Sequence, residues 1–433
     1  MKKTALFLAI AILFSTTACD QSQGNTNANT LQPQSKTLPE NTVYTMKNYD
    51  HVNSFNAELS RNKKDNEGLA NVTKNDKHGL IDKTGKEVVP VQYDNYIYFS
   101  EELAEVRQGD KWGYIDKTGK VVIDFQYNSA KHFNGGFAQV VKDGKITYID
   151  KTGKESYDFV QYFNEGLAVA QKDNKWFVLD DTGKELTQLP YNYKKIGVFN
   201  DGLALVQKEN KFGFIDKTGK EVIAVQYDYA GNFKEGLALV KKCAKQYFID
   251  KTDKEVFLLP YDFSWYFTEG LAIVVKNDQY GLIDKTGKEI TPLKYDIIHK
   301  FEDGMAKVRK NNKWGAIDKT GKEIVPLQYD DIHRFTEGFA RVKKGDKYGF
   351  VNKIGKEVVP LQYDDTHLVF SEGLAAVKKD GKWGFVDKNG KEVIPLQYDM
   401  VWNFSEGLAP VINFTDFKWQ FIDKTGKVVI KTE

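Results

Sequence analysis

Three scarcities bound what this 433-residue chain can be. Cysteine is the first. Only Cys19 and Cys243 occur, so no disulfide framework and no paired-cysteine zinc site can form. Long hydrophobic runs are the second. The run Ala5–Phe14 is ten residues, against about 20 for a membrane-spanning helix. An excess of one charge is the third. Lys plus Arg total 62 and Asp plus Glu total 60, a net charge of +2 with no basic run. That balance argues against a nucleic-acid binder, which needs a basic patch to release counterions. The G-x-x-x-x-G-K-[ST], H-E-x-x-H and G-x-S-x-G patterns are absent as well. No constellation of polar residues is unique to one place. The expectation is therefore a protein that is not an enzyme, with no cofactor and no metal site.

The N-terminus carries an address. Met1-Lys2-Lys3 followed by the short apolar run fits a secretory signal peptide. Ser15-Thr16-Thr17-Ala18-Cys19 resembles the lipobox of bacterial lipoproteins, departing from it at Thr16, where Leu is usual. The resemblance implies removal of residues 1–18 and diacylglyceryl plus N-acyl modification of Cys19. Two or more chains anchor stably. The protein is then exported and membrane-anchored, on the periplasmic face or the cell surface. Asp20 resembles the residue that retains such proteins in the inner membrane of enteric bacteria. Residues 19–48 are mostly rich in Gln, Asn, Ser and Thr, and read as a flexible tether.

What is abundant is aromatic and glycine residues, at 13% and 35 copies, a composition of strands and turns. One phrase recurs, cleanest at residues 372–393. Its turn aspartate falls at Asp82, Asp116, Asp150, Asp180, Asp216, Asp250, Asp284, Asp318, Asn352, Asp387 and Asp423, mostly 34 residues apart. Eleven copies fill residues 49–433 and leave no room for a separate catalytic domain.

Each copy reads as a β-meander of about three strands. Gly373–Val377 is the first, the Asp380-Gly381 hairpin turn follows, and Trp383–Asp387 is the second. The Asp387–Gly390 turn uses an aspartate that accepts local backbone N–H groups and a glycine free to take positive φ. Strand periodicity puts the Ala and Val of Gly-Leu-Ala-x-Val inward. It puts the variable x outward, as at Glu105, Lys307 and Arg341.

Trp112-Gly113, Trp314-Gly315 and Trp383-Gly384 resemble the bacterial WG repeat, with Phe212-Gly213, Tyr280-Gly281 and Tyr348-Gly349 in the same slot. The resemblance covers nearly the whole mature chain. It implies a β-rich repeat and no catalytic residues. The glycine slot holds Thr147, Phe177, Tyr247 and Gln420 elsewhere, and these copies are expected at irregularities of the array. The unit is also loosely similar to the hairpin repeats of cell-wall-binding proteins. Eleven units exceed the usual four to eight propeller blades. The expected fold is all-β, an elongated β-solenoid or superhelix of stacked meanders, with propeller-like bodies as the alternative.

The candidate binding residues are the aromatic series Trp112, Trp176, Phe212, Tyr280, Trp314, Tyr348, Trp383 and Trp419, one per repeat at one register. Exposed, these rings would stack on sugars or dock a partner; buried, they would be core. Tyr-Asp pairs such as Tyr93-Asp94 and Tyr398-Asp399, and the column His299, His333, His367, are weaker candidates. The expected role is a protein-interaction scaffold, with cell-wall or glycan binding through the aromatic ladder as the alternative.

Overall fold

The sequence reading accounts for about three strands of each repeat, and the structure adds a short one ahead of them. The computed structural model describes residues 42–55, 66–190 and 193–433. The signal peptide, Cys19 and the tether up to residue 41 lie outside the described residues. Every regular element among the described residues is a strand. Blade 10 is representative. Its strands are Asp365–Thr366, Leu374–Lys379, Lys382–Asp387 and Glu392–Tyr398, paired antiparallel in chain order. The two-residue first strand occupies what the sequence presents as a connector. Four strands, rather than about three, therefore make the unit.

Eleven sheets follow one another, blades 1 to 11 along the chain, and blade 2 alone among them has three strands. Blade 11 takes a fifth strand, Tyr44–Met46, which pairs in parallel with Val428–Thr432. This strand comes from within the segment expected to be tether. Met46, Val52, Phe55 and Val72 at the start of the chain pack with Ile412, Trp419 and Phe421 at its end. The array is thus closed into a ring, an eleven-bladed β-propeller. The all-β expectation stands, and of the two architectures the propeller replaces the elongated stack. An open array must cap its two terminal faces with polar residues. Here each terminal face is apolar and buries the other.

Closure changes what the faces do. Ala375, Val377 and Val386 of blade 10 pack on Phe350, Val359 and Tyr363 of blade 9. Ala376, Phe385 and Ile394, on the opposite face, pack on Val401, Phe404 and Val411 of blade 11. Both faces of a blade are therefore core. The x position does not point to solvent as expected: Ala376 is buried, and Glu105, Lys307 and Arg341 are half-buried. Burial pushes the Glu105 carboxyl up to about 7.

The Trp-Gly pair has a steric reason. In blade 10, Phe385 pairs with Ile394 and Trp383 with Tyr398, so three residues of the fourth strand bulge over Gly384 alone. A Cβ there would lie 2.5 Å from the Ile394 carbonyl oxygen. Where the slot holds Phe177 or Gln420, the fourth strand stays in step, with Phe177 facing Gln188 and Gln420 facing Lys431. The wide bulge thus belongs to the blades that have the glycine, while the copies with Phe177 and Gln420 keep only a shift next to the turn.

Polar clasps join blade to blade. The two-residue Glu-Gly turn before the second strand has both residues at positive φ, as at Glu337 (52°) and Gly338 (87°). The Glu337 carboxylate accepts the N–H groups of Glu372 and Gly373 in the next blade, at 2.9 and 3.2 Å, and pairs with Lys388 at 3.0 Å. Glu101, Glu235, Glu269, Glu372 and Glu406 repeat the arrangement. Blade 3 has Gly135 in place of this glutamate, and blade 4 has Asp181 in place of its lysine partner. Both halves of that clasp are replaced together. Within each blade, the turn aspartate accepts local bonds as expected: Asp116 takes the Thr118 hydroxyl at 2.6 Å and the Thr118 and Lys120 N–H groups.

Candidate functional site

The aromatic series sits on the third strand of each blade and is neither an open ladder nor a plain core. Trp419 is buried, 3% exposed, between Trp402 and His51 at the ring seam. Trp112, Trp176, Phe212, Tyr280, Trp314, Tyr348 and Trp383 are half-buried. Several are covered from two directions. One is the first strand of the same blade, as His299 against Trp314 (5.6 Å between ring centroids) and His367 against Trp383 (5.0 Å). The other is a basic side chain of the second strand. Arg341 lies over Tyr348 at 4.1 Å and Lys307 over Trp314 at 5.0 Å, where a cation gains from the ring quadrupole.

The Tyr-Asp pairs serve the frame. Asp399 accepts the Phe414 N–H at 2.8 Å and pairs with Lys382 of the preceding blade at 2.6 Å. Those bonds hold its carboxyl below the usual range, the Lys382 ammonium first and the Phe414 N–H second. The tyrosine hydroxyls cross to a glutamate of the next blade, as Tyr295 donates to Glu323 at 3.0 Å. These groups are committed to holding blades together.

The exposed and variable chemistry lies elsewhere, at the second, fourth and fifth residues after each such tyrosine. There the first strand and the residues just after it place Phe159 and Tyr162 in blade 4, Tyr229 in blade 6, and Phe263, Trp265 and Tyr266 in blade 7, all exposed. Trp265 meets Phe263 edge-on at 4.6 Å and stacks along Tyr280 at 5.8 Å. Sequence reasoning passed over these rings because a two-residue strand has no periodicity to reveal it. Their signal was the change of residue type after a constant Tyr-Asp.

In blades 8 to 10 the fourth position holds His299, His333 and His367. Burial, then the Lys307 ammonium, pushes His299 down to about 4. Burial also lowers His333, with Lys307 and Arg334 adding to it, and lowers His367. Each imidazole is neutral at pH 7. Among the described residues no group of three or more His, Cys, Asp or Glu side chains is placed to hold a metal ion. Cys243 is exposed, in the turn between the second and third strands of blade 6.

A family model described as "WG containing repeat" matches ten segments: 79–112, 112–145, 146–176, 178–212, 212–242, 248–280, 280–314, 314–348, 348–383 and 383–413. The chain belongs to the WG-repeat family. Several matched units run from the aromatic of one Trp-Gly slot to the aromatic of the next, as 280–314, 314–348 and 348–383 do. The sequence unit therefore straddles two blades, and ten units fall inside a ring of eleven. No curated protein sequence matches the chain. Among solved structures, a eukaryotic initiation factor is 12% identical with a TM-score of 0.38, over 67% of this chain and 93% of that one. PorZ, a surface component of the type-IX secretion system of Porphyromonas gingivalis, is 11% identical with a TM-score of 0.23, over 86% and 63%. A streptogramin B lyase is 18% identical with a TM-score of 0.24, over 54% and 90%. Likenesses this weak bear on no function.

Proposed function

We propose that the ring is a binding scaffold that reads a protein partner through the first-strand positions of its blades. One observation supports this above others. The backbone at the fourth position is fixed, since Gly231, Trp265, His299, His333 and Trp402 all donate their N–H to the same second-strand carbonyl site. The side chains there vary around the ring: glycine in blade 6, tryptophan in blades 7 and 11, and histidine in blades 8 to 10. A constant frame with variable, accessible groups is what partner recognition needs, and the interior x positions do not supply it. The proposed scaffold is exported and lipid-anchored at Cys19, carries out no catalysis, and binds no nucleic acid.

Photo-crosslinking residues placed at Tyr266 and Arg334 test the partner class in intact cells. The scaffold reading expects one protein adduct of defined mass from these positions and none from Lys245, in the third strand of blade 6. Adducts equally abundant at all three would sink it. Cell-wall binding is the second reading, supported by the exposed rings Phe263, Trp265 and Tyr266, which offer rigid stacking area for sugars. Co-sedimentation with peptidoglycan sacculi, lost in a folded Trp265→Ala/Tyr266→Ala variant, would favour it. The anchor is checked by palmitate incorporation, expected in the parent and abolished in Cys19→Ser.

A further inference from the structure

Blade 10 differs from its neighbours by one residue. Phe370 follows Tyr363 by seven positions, whereas Phe335 follows Tyr329 by six and Phe404 follows Tyr398 by six. Leu368, at the exposed fifth position, is apolar where blade 9 has Arg334. At the x position, blade 10 also has the small Ala376 where blades 8 and 9 have Lys307 and Arg341. Between the first strands of blades 9 and 10 there is a groove of about 560 Å³, bordered by His333, Arg334 and Arg341 on one side and by Asp365, Thr366 and His367 on the other.

The polar atoms of this groove are incompletely matched. Arg341 Nε, His333 Nδ1 and Thr366 Oγ1 are shielded from bulk water and have no hydrogen-bond partner. Thr366 as a whole is only 4% exposed. A buried polar group left unpaired costs as much as a lost hydrogen bond, so folded proteins keep few of them. Three of them border this one groove, where a small rotation of each side chain would bring its polar atom to a ligand. Arg341 is already oriented for that role. Its guanidinium lies flat over Tyr348 at 4.1 Å, and its Nη2 donates to Asp365 Oδ1 at 3.1 Å. The same carboxylate oxygen accepts the Thr366 N–H at 2.8 Å, which fixes the threonine beside the arginine. His367 Nδ1 is held by Asn403 Oδ1 at 2.7 Å.

Charge and shape narrow the ligand. Arg334 and Arg341 face one lining carboxylate, Asp365, so the groove is cationic on balance. A planar guanidinium beside a hydroxyl matches a carboxylate better than a spherical anion. Leu368 and Val369 give the groove a short apolar lip. We propose that the groove between blades 9 and 10 binds a small carboxylate-bearing ligand, with Arg341 and Arg334 holding the carboxylate and Thr366 and His333 completing its hydrogen bonds. This site uses His333 and Arg334, positions the scaffold reading also draws on, but its test reads binding of a small carboxylate and stands or falls apart from the partner crosslinking; the aromatic positions in blade 7 take no part in it.

The chain has six histidines, so histidine-selective labelling of the full-length protein gives a readable NMR spectrum. The His333 and His367 signals are assigned by His333→Gln and His367→Gln. The probes are N-acetyl-alanyl-alanine, its C-terminal amide, and inorganic phosphate. The expected result is a saturable shift of the His333 signal with the free carboxylate. Affinity should weaken about tenfold in Arg334→Gln and in Thr366→Val. The four signals outside the groove report that each variant is folded. No shift of His333 overturns the proposal. Equal binding of the amide or of phosphate overturns the carboxylate assignment. Unchanged affinity in both variants overturns the assigned residues.

Discussion

Blades 6 and 7 and blades 8 to 10 share one backbone and differ in what they offer. In blade 7, Trp265 stands beside Ile273, and in blade 6 Gly231 stands beside Leu239. In blade 8, His299 stands beside Lys307, and in blade 9 His333 stands beside Arg341. In blades 7, 8 and 9 the side chain at this position and the x residue that accepts its N–H are matched in polarity, whereas in blade 10 His367 stands beside Ala376. The frame therefore tolerates two chemistries at one register, because bulges, turns, clasps and the buried first-strand residues such as Ile298, Ile332 and Val401 carry its stability, and the side chains at that register do not.

The strongest way to break the comparison is to attack the frame in both arcs. Gly384→Ala should destabilise the protein by about 3 kcal/mol, and Gly281→Ala by about 1–2 kcal/mol. A Cβ on Gly281 meets the Thr291 carbonyl oxygen at 2.9 Å, against 2.5 Å to Ile394 for Gly384. Urea midpoints on the two variants check the ranking. Gln420→Gly, in a blade without the bulge, should give no comparable gain.

The next effect is smaller and should be equal in the two arcs. Glu235→Ala and Glu337→Ala each remove a carboxylate that accepts backbone N–H from the following blade and meets a half-exposed lysine. A loss of about 1 kcal/mol each is expected, reduced by solvent screening of the lysine. A loss confined to one arc would show that the clasps are not interchangeable.

The smallest effect separates the arcs. The histidines of blades 8 to 10 have folded pKa values below the unfolded one, about 4 for His299 against 6.5. The unfolded chain then binds protons that the folded chain does not, so stability is full above pH 6.5 and declines as pH falls from about 6.5 toward 4. The triple variant His299→Gln/His333→Gln/His367→Gln should flatten that part of a stability–pH curve. Trp265→Ala should leave its shape unchanged.

Much of this was legible in the chain itself. The eleven turn residues, ten aspartates and Asn352, set the register, and Asp116 bonds as its turn position implies. The second and third strands fall where alternation puts them. The x position was misjudged at Glu105, Lys307 and Arg341, because alternation marks two faces without saying that a neighbour covers both. The first strand escaped notice because Asp331–Ile332 is two residues long. Trp383 and its equivalents were visible as a series, but their half-burial depends on His367 and Lys378, which only folding brings over the ring.

The sequence by itself determined the unit: a β-meander of fixed period, with a glycine wherever the fourth strand bulges and an aspartate at each tight turn. These are local consequences of sterics and hydrogen bonding within a few residues. Only the tertiary structure decided that eleven units close. Closure is the sum of small rotations at successive blade interfaces, and it is sealed when Tyr44–Met46 pairs with Val428–Thr432 across the length of the chain. No single repeat encodes that sum. It follows from how apolar faces such as those of blades 9, 10 and 11 seat on one another, and it decides which side chains the ring leaves free to bind.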